Sequence, residues 1–174
     1  YQYKIICPYF IKNDKAIPIS ENFLRGNYPL TFEYLYRNKQ KLLKRSKTNQ
    51  DNWWLYPYPK NLALYEKPKI ISQVLSQKSN FAIDLIGQFY FVGGGNAGGN
   101  AIQVINNSEL EMKYLLGILN SSFCTNYVKN IGSVFRGGYY SFGKLSLSNL
   151  PVPIIDNTDQ HQTNLRFEIV EFVD

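Results

Sequence analysis

Histidine and cysteine are scarce in this 174-residue chain: His161 stands alone, and Cys7 and Cys124 lie far apart in apolar surroundings. Four-ligand zinc spacing therefore does not occur, and Ser-His-Asp or Cys-His catalysis would rest on one imidazole in a polar stretch. The two thiols read as buried, reduced core residues. No apolar run reaches the roughly 18 to 20 residues that a membrane helix needs, and no basic-then-apolar leader opens the chain. The expectation is a soluble, cytoplasmic protein with no membrane partner. Repeats of fixed period are missing, as is the G-x-x-x-x-G-K-[ST] phosphate loop. The chain starts at Tyr1 and stops at Asp174 inside a helical pattern, which reads as a fragment of a longer polypeptide.

What is abundant is aromatic and basic. Aromatics make up 16% of the residues, with 14 Tyr, 11 Phe and 2 Trp, many of them beside cations. The formal charge of +6 favours an anionic partner, whether nucleic acid, anionic membrane surface or acidic polymer. A hydrophobic share of 44% against 18% charged fits a folded globular domain and excludes disorder and coiled coil. The length suits one domain spanning residues 1–174.

Periodicity predicts a strand over residues 1–8, a turn at Asn13-Asp14 and an extended segment over 17–19. Residues 30–45 place Phe32, Leu35, Tyr36, Leu42 and Leu43 at helical spacing, with Arg37, Lys41, Lys44 and Arg45 mostly off that stripe. Prolines exclude regular helix over 53–59. Short strands are expected over 69–72, 81–85 and 88–92, a glycine-rich loop over 93–100, and an apolar strand over 101–105. Ser108 followed by Glu111 is a capping box, which opens a helix carrying Leu110, Tyr114, Leu115, Ile118, Leu119 and Phe123. Leu115, Ile118 and Leu119 are expected in the core. A second glycine and aromatic loop covers 132–143, a strand is expected over 144–147, Leu150 to Pro153 stops it, and a helix closes 159–173. Strands arriving in neighbouring pairs give an α+β fold: a mixed, largely antiparallel sheet with two or three packed helices and long Gly/aromatic loops.

Three constellations carry chemistry. Residues 37–47 hold six cations and no acid, a face that can neutralise phosphates or simply stay solvated. Arg136, Tyr139 and Tyr140 sit in a loop whose glycines let backbone approach a ligand, or merely move. Trp53, Trp54, Tyr56 and Tyr58 can stack on bases or sugars, or pack the loop onto the core. Within residues 93–98 the string GGGNAG satisfies G-x-G-x-x-G, but the strand pattern that follows lacks the helix N-terminus that would hold a pyrophosphate. Two further classes stay open: a metal-dependent nuclease built on Asp84, Glu111 and Lys113, and an aromatic carbohydrate-binding module built on Trp53, Trp54 and Tyr56. Asp84, flanked by strands, reads as a structural hydrogen-bond acceptor.

The order and spacing of several small motifs go further. Tyr28-Pro29, Tyr34-Leu35, Leu42 and Arg45, Trp53-Trp54, Lys67-Pro68-Lys69-Ile70, Asp84 with Gly87 and Tyr90, the string LLGILNSS over 115–122, Gly137-Gly138-Tyr139, and Leu150-Pro151-Val152-Pro153 occur in succession. Together, over residues 23–155, they resemble the TaqI-like C-terminal specificity domain. That domain is the target recognition part of adenine-specific DNA methyltransferases and of bacterial type II restriction enzymes that fuse nuclease, methyltransferase and reader.

The resemblance implies a module that recognises a sequence in double-stranded DNA while a separate methyltransferase domain flips and methylates the adenine with S-adenosylmethionine. A nuclease domain of the same parent would add Mg²⁺. The N-P-P-[FYW] motif of adenine methyltransferases is missing, so this fragment is expected to have no catalytic centre, metal or cofactor of its own. From residue chemistry, Lys39, Lys41, Lys44, Lys47 and Lys144 are candidate phosphate contacts. Arg37, Arg45, Asn96, Arg136, Tyr139 and Tyr140 are candidate base or groove contacts.

Overall fold

The computed structural model describes residues 5–91, 98–106 and 108–173, and the chain divides into two compact units, Tyr1–Glu66 and Lys67–Asp174. The first unit opens on an antiparallel hairpin, β1 (Tyr9–Lys12) with β2 (Lys15–Pro18), in register Lys12↔Lys15. Asn13 and Asp14 form its two-residue turn with φ of 51° and 57°, the left-handed region that these short polar side chains tolerate. The strand expected over 1–8 is displaced: residues 1–4 lie outside the described part, residues 5–8 are not in a strand, and pairing begins at Tyr9. That turn sets the register, and a register admits one hairpin.

Three short helices follow: α1 (Glu21–Asn27), α2 (Pro29–Arg37) and α3 (Lys39–Leu43). Ser20 caps α1 by accepting from the Phe23 amide, and Pro29 opens α2 at a position where its missing N–H costs nothing. The single helix expected over 30–45 is broken at Asn38 (φ −98°, ψ 5°), whose side-chain amide donates to the Tyr34 carbonyl at 2.8 Å. A local side-chain bond of this kind competes with helix propagation. Ile19, Leu24, Leu35, Trp53 and Trp54 make the core.

The second unit is built on a three-stranded antiparallel sheet of order β5-β3-β6, comprising β3 (Lys69–Gln73), β5 (Phe81–Asp84) and β6 (Gly99–Ile102). A separate two-stranded pair joins β4 (Leu75–Ser76) to β7 (Tyr140–Ser141). The helices are α4 (Glu109–Asn120), α5 (Ser122–Ile131), α6 (Lys144–Leu147) and α7 (Gln160–Glu171). The fold class is therefore α+β with antiparallel sheets, as the sequence indicates; seven α-helices among the described residues exceed the two or three expected.

Particular side chains explain the differences. Ser121 ends α4 and caps α5, donating to the Ile118 carbonyl at 2.6 Å and accepting from the Cys124 amide at 3.2 Å, so the helix read through Phe123 becomes two. Residues 88–91 are not a strand, because the Gln88 and Phe89 amides donate to the Asp84 carboxylate at 3.1 and 3.0 Å instead of to a neighbouring strand. Residues 144–147 are helical, not extended.

Ile70, Phe81, Leu116, Leu119, Cys124, Val128, Phe142 and Leu150 form the second core. Leu119 lies in it, whereas Leu115 and Ile118 are only half-buried, and Met112, Tyr114 and Leu116 take the inward positions of α4. A buried ion pair ties β3 to β5: Lys69 Nζ donates to Asp84 Oδ2 at 2.5 Å, both side chains fully out of solvent. Asp84 is thus the structural acceptor anticipated from its flanking strands. Asn120 binds both the N–H and the carbonyl of Phe81, at 2.8 and 2.9 Å, satisfying backbone groups of an edge strand.

Candidate nucleic-acid interface

In the first unit the cations of residues 37–47 divide by what they touch. Lys41 and Lys44 are exposed on and just after α3 with no side-chain partner among the described residues. Arg37 is exposed and pairs with Glu33 one helical turn back. Lys39 Nζ lies 4.9 Å from the Trp53 ring centroid and 5.7 Å from that of Tyr36. Lys47 is exposed, with Nζ 4.5 Å from the Tyr58 ring centroid. Such cation–π contacts keep a positive head near the surface while the ring bears its stem.

Arg45 is different. Its guanidinium donates to the carbonyls of Leu42, Trp53 and Leu55 at 2.9, 2.6 and 3.1 Å, and burial lowers its pKa from the ordinary arginine value. It ties the end of α3 to the tryptophan segment, so its donors are turned inward to backbone.

The tryptophans are core. Trp53 is fully buried and donates to Glu21 Oε2 at 3.1 Å; Trp54 donates to the Ile19 carbonyl at 2.8 Å. The Tyr56 hydroxyl donates to the Ile6 carbonyl at 2.5 Å. Neither indole offers an open face for a sugar, because burial of the rings and satisfaction of their N–H groups take priority, and Tyr56 is half-buried.

The proposed nuclease set is likewise engaged. Asp84 holds Lys69, Glu111 accepts from Arg166 Nη1 at 3.1 Å, and Lys113 pairs with Glu109 at 2.8 Å. Ser108 caps α4 by accepting from the Glu111 amide, but the Ser108 amide donates to Asn106, so the reciprocal arm of the capping box is absent. Among the described residues no three His, Cys, Asp or Glu stand close enough to hold a metal ion. His161 is exposed in the first turn of α7.

In the second unit, Arg136 occupies a tight turn. The Phe135 amide donates to the Tyr139 carbonyl at 2.8 Å and the Gly138 amide to the Phe135 carbonyl at 3.1 Å, closing the chain on itself. Gly137 and Gly138 have φ of 84° and 75°, which side-chain-bearing residues rarely adopt. Arg136 is exposed there with no side-chain partner among the described residues, beside Phe135 and Tyr139, 38% and 41% exposed. Tyr140 is half-buried in β7 with Lys129 Nζ 5.9 Å from its ring centroid. Lys144 is exposed at the first residue of α6. Asn96, and with it most of the GGGNAG string, lies outside the described residues; β6 follows that string as a strand, with no helix N-terminus to receive a pyrophosphate.

Sequence reasoning missed Gln77, whose side-chain amide donates to the Gly137 carbonyl at 3.0 Å. The two-residue strand before it leaves no periodicity to read, and 60 residues separate the partners.

The second unit thus carries a glycine-fixed turn with an exposed arginine, and the first carries exposed lysines on and after a short helix, none with a side-chain partner among the described residues. The chain belongs to the TaqI-like C-terminal specificity domain family, which it matches over residues 3–152. It is also similar to the type II restriction enzyme and methyltransferase RM.Eco57I of Escherichia coli, at 27% identity over 170 residues. That alignment takes in 92% of this chain but only 17% of the relative's length. The match begins well before the stretch in which the sequence motifs cluster and so takes in the β1–β2 hairpin; it ends before α7. Among the described residues no helix is long and apolar enough to cross a membrane.

Proposed function

We propose that this chain reads a specific sequence in duplex DNA for a larger restriction-modification polypeptide. The observation that carries the reading is Arg136, exposed and unpartnered among the described residues at a turn fixed by two positive-φ glycines, in a chain of the specificity-domain family. Lys41, Lys44, Lys47 and Lys144 contact phosphates and set orientation, while Arg136 and Tyr139 reach base edges. Arg37, Lys39 and Tyr140 contribute from partners they already hold, and Arg45 serves the fold. Recognition positions the DNA so that a separate domain flips and methylates an adenine using S-adenosylmethionine; a nuclease domain, where fused, supplies Mg²⁺-dependent cleavage. Those domains and the DNA are the partners of this chain, and the cytoplasm is where they would meet.

Fluorescence anisotropy of a labelled duplex, titrated with the chain in EDTA at several salt concentrations, tests the reading. Each phosphate contact contributes a slope of about −0.9 in log K against log salt, so Lys41→Ala/Lys44→Ala lowers the slope by about 2 with the fold intact. Absence of binding at low salt by a folded chain rejects DNA recognition.

A further inference from the structure

We infer that Gln77 is a positioning residue that aims Arg136 at a guanine in the major groove, so that this turn reads one G·C pair of the recognised site. The inference rests on the DNA-reading assignment and adds to it a base, a groove and a residue that touches no DNA.

The base of the Arg136 turn is anchored. Tyr140 and Ser141 pair with Ser76 and Leu75, and the Phe142 amide donates to the Val74 carbonyl at 2.9 Å. Phe142 is 1% exposed and meets Phe81 edge-on at 6.1 Å in the core. The tip is braced as well. One residue beyond β4, the Gln77 side-chain amide donates to the Gly137 carbonyl, in the peptide group that joins Gly137 to Gly138, one residue beyond Arg136. Gly137 and Gly138 fix the reversal itself through backbone that a side chain would strain. The turn that carries Arg136 is therefore held at its base, at its tip and through its glycines, while Arg136 itself is exposed.

That combination suits a base edge better than a phosphate. A phosphate is satisfied by a point charge on a flexible stem, as lysine provides, and needs no fixed aim. The planar fork of arginine matches guanine O6 and N7 together, and two simultaneous bonds demand a defined approach. The major groove, about 12 Å wide, has room for a tight turn like the one closed by the Phe135–Tyr139 bridge, whereas the minor groove, about 6 Å wide, is narrow for it. Phe135 and Tyr139, flanking the arginine, offer apolar edge and hydroxyl to the neighbouring pairs.

The test selects duplexes from a pool with a randomised core, using the 174-residue chain, Arg136→Ala and Gln77→Met, and scores base preference position by position. Methionine keeps the length of glutamine and removes its donor, and Gln77 is exposed, so the variant folds; equal melting temperatures check this. Arg136→Ala is expected to lose roughly 5- to 100-fold preference for guanine at one position and to keep the others. Gln77→Met is expected to weaken the same position by about 2- to 10-fold, with affinity for a random duplex unchanged. Preference falling evenly at all positions in Gln77→Met, no change at the Arg136 position, or a base other than guanine there would overturn the inference while leaving DNA reading intact. A wild-type chain that enriches no sequence rejects the DNA-reading assignment itself.

Discussion

Replacing Asp84 by alanine should come close to unfolding the second unit. The carboxylate is fully buried against Lys69 Nζ at 2.5 Å and also accepts the Gln88 and Phe89 amides. Alanine leaves an ammonium group in the core with no counter-charge, which in buried pairs costs about 3–5 kcal/mol, against the roughly 5–15 kcal/mol that holds a domain together. Gln88 and Phe89 are exposed residues, so their freed amides gain water and add little. Urea unfolding followed by circular dichroism should show the midpoint collapse for Asp84→Ala, with Lys69→Met/Asp84→Leu recovering a large part of the loss because no charge stays buried. Asn at position 84 keeps the acceptor for the amides and should fall between. The pair also dictates a pH limb. Burial alone pushes the Asp84 carboxyl up, but the Lys69 hydrogen bond, the Phe89 and Gln88 amides and the Lys69 charge together hold it below its ordinary value of 3.8. The unfolded carboxyl therefore takes a proton first as pH falls, so this stabilisation is complete above the ordinary value and is lost as pH drops through the lower folded one. The wild-type advantage over Asp84→Asn should shrink in that window. An Asp84→Ala midpoint within about 1 kcal/mol of wild type, or a double variant no better than the single one, would refute the reasoning.

Arg45→Met should destabilise the first unit by about 1–3 kcal/mol for the lost carbonyl bonds to Leu42, Trp53 and Leu55, seen as a lower melting temperature, and leave the salt slope of DNA binding unchanged; a lowered slope would assign Arg45 to the DNA face. Burial, helped by Cys7 and Tyr9, pushes the Tyr56 phenol from 10.0 up to about 12. The unfolded phenol ionises first on that limb, so stability of the first unit should fall as pH rises from the lower value toward the higher, and Tyr56→Phe should flatten that limb in urea midpoints. A Cβ on Gly117 of α4 would stand 2.5 Å from Ile169 Cγ2 on α7; Gly117→Ala should therefore speed hydrogen exchange across residues 160–171, and Ile169→Ala should reverse it.

The sequence was legible where chemistry is local. Ser108, Ser20 and Asp159 each accept from amides at the start of a helix, although only the caps at Ser108 and residue 159 fall within segments read as helical from periodicity. The α1 helix escaped because its seven residues place one buried side chain, Leu24, too few to establish a period. Residues 144–147, expected as a strand, form one helical turn, and four residues are too few for either period to show. The motifs that carry the family resemblance turn out to be ties within the fold: Asn120 at the end of α4 bonded to the edge strand β5, Ser121 between two helices, Lys69 in its ion pair, and the Pro153 carbonyl receiving the Tyr114 hydroxyl at 3.1 Å. The Arg136 turn was visible as a glycine loop, but its brace from Gln77 depends on a strand pairing between distant segments, which no local signal encodes.

Net charge alone therefore says little about a DNA face, because the fold spends part of it. Lys69 is neutralised in the core, Arg45 is bound to carbonyls, and Arg166, 8% exposed, is paired with Glu111. Arg25 and Arg37 are each matched by a glutamate one turn earlier. Of the cations singled out from the sequence as DNA contacts, those exposed and not held by an acid or a carbonyl are Lys41, Lys44 and Lys144, which have no side-chain partner among the described residues, and Lys47 on its tyrosine, joined by Arg136 at its turn. Four of these five are lysines, suited to positioning along phosphates, and the fifth is the arginine whose backbone is fixed by two glycines and a glutamine. On the proposed DNA-reading function, affinity and specificity fall to different side chains, and a substitution that lowers one need not lower the other.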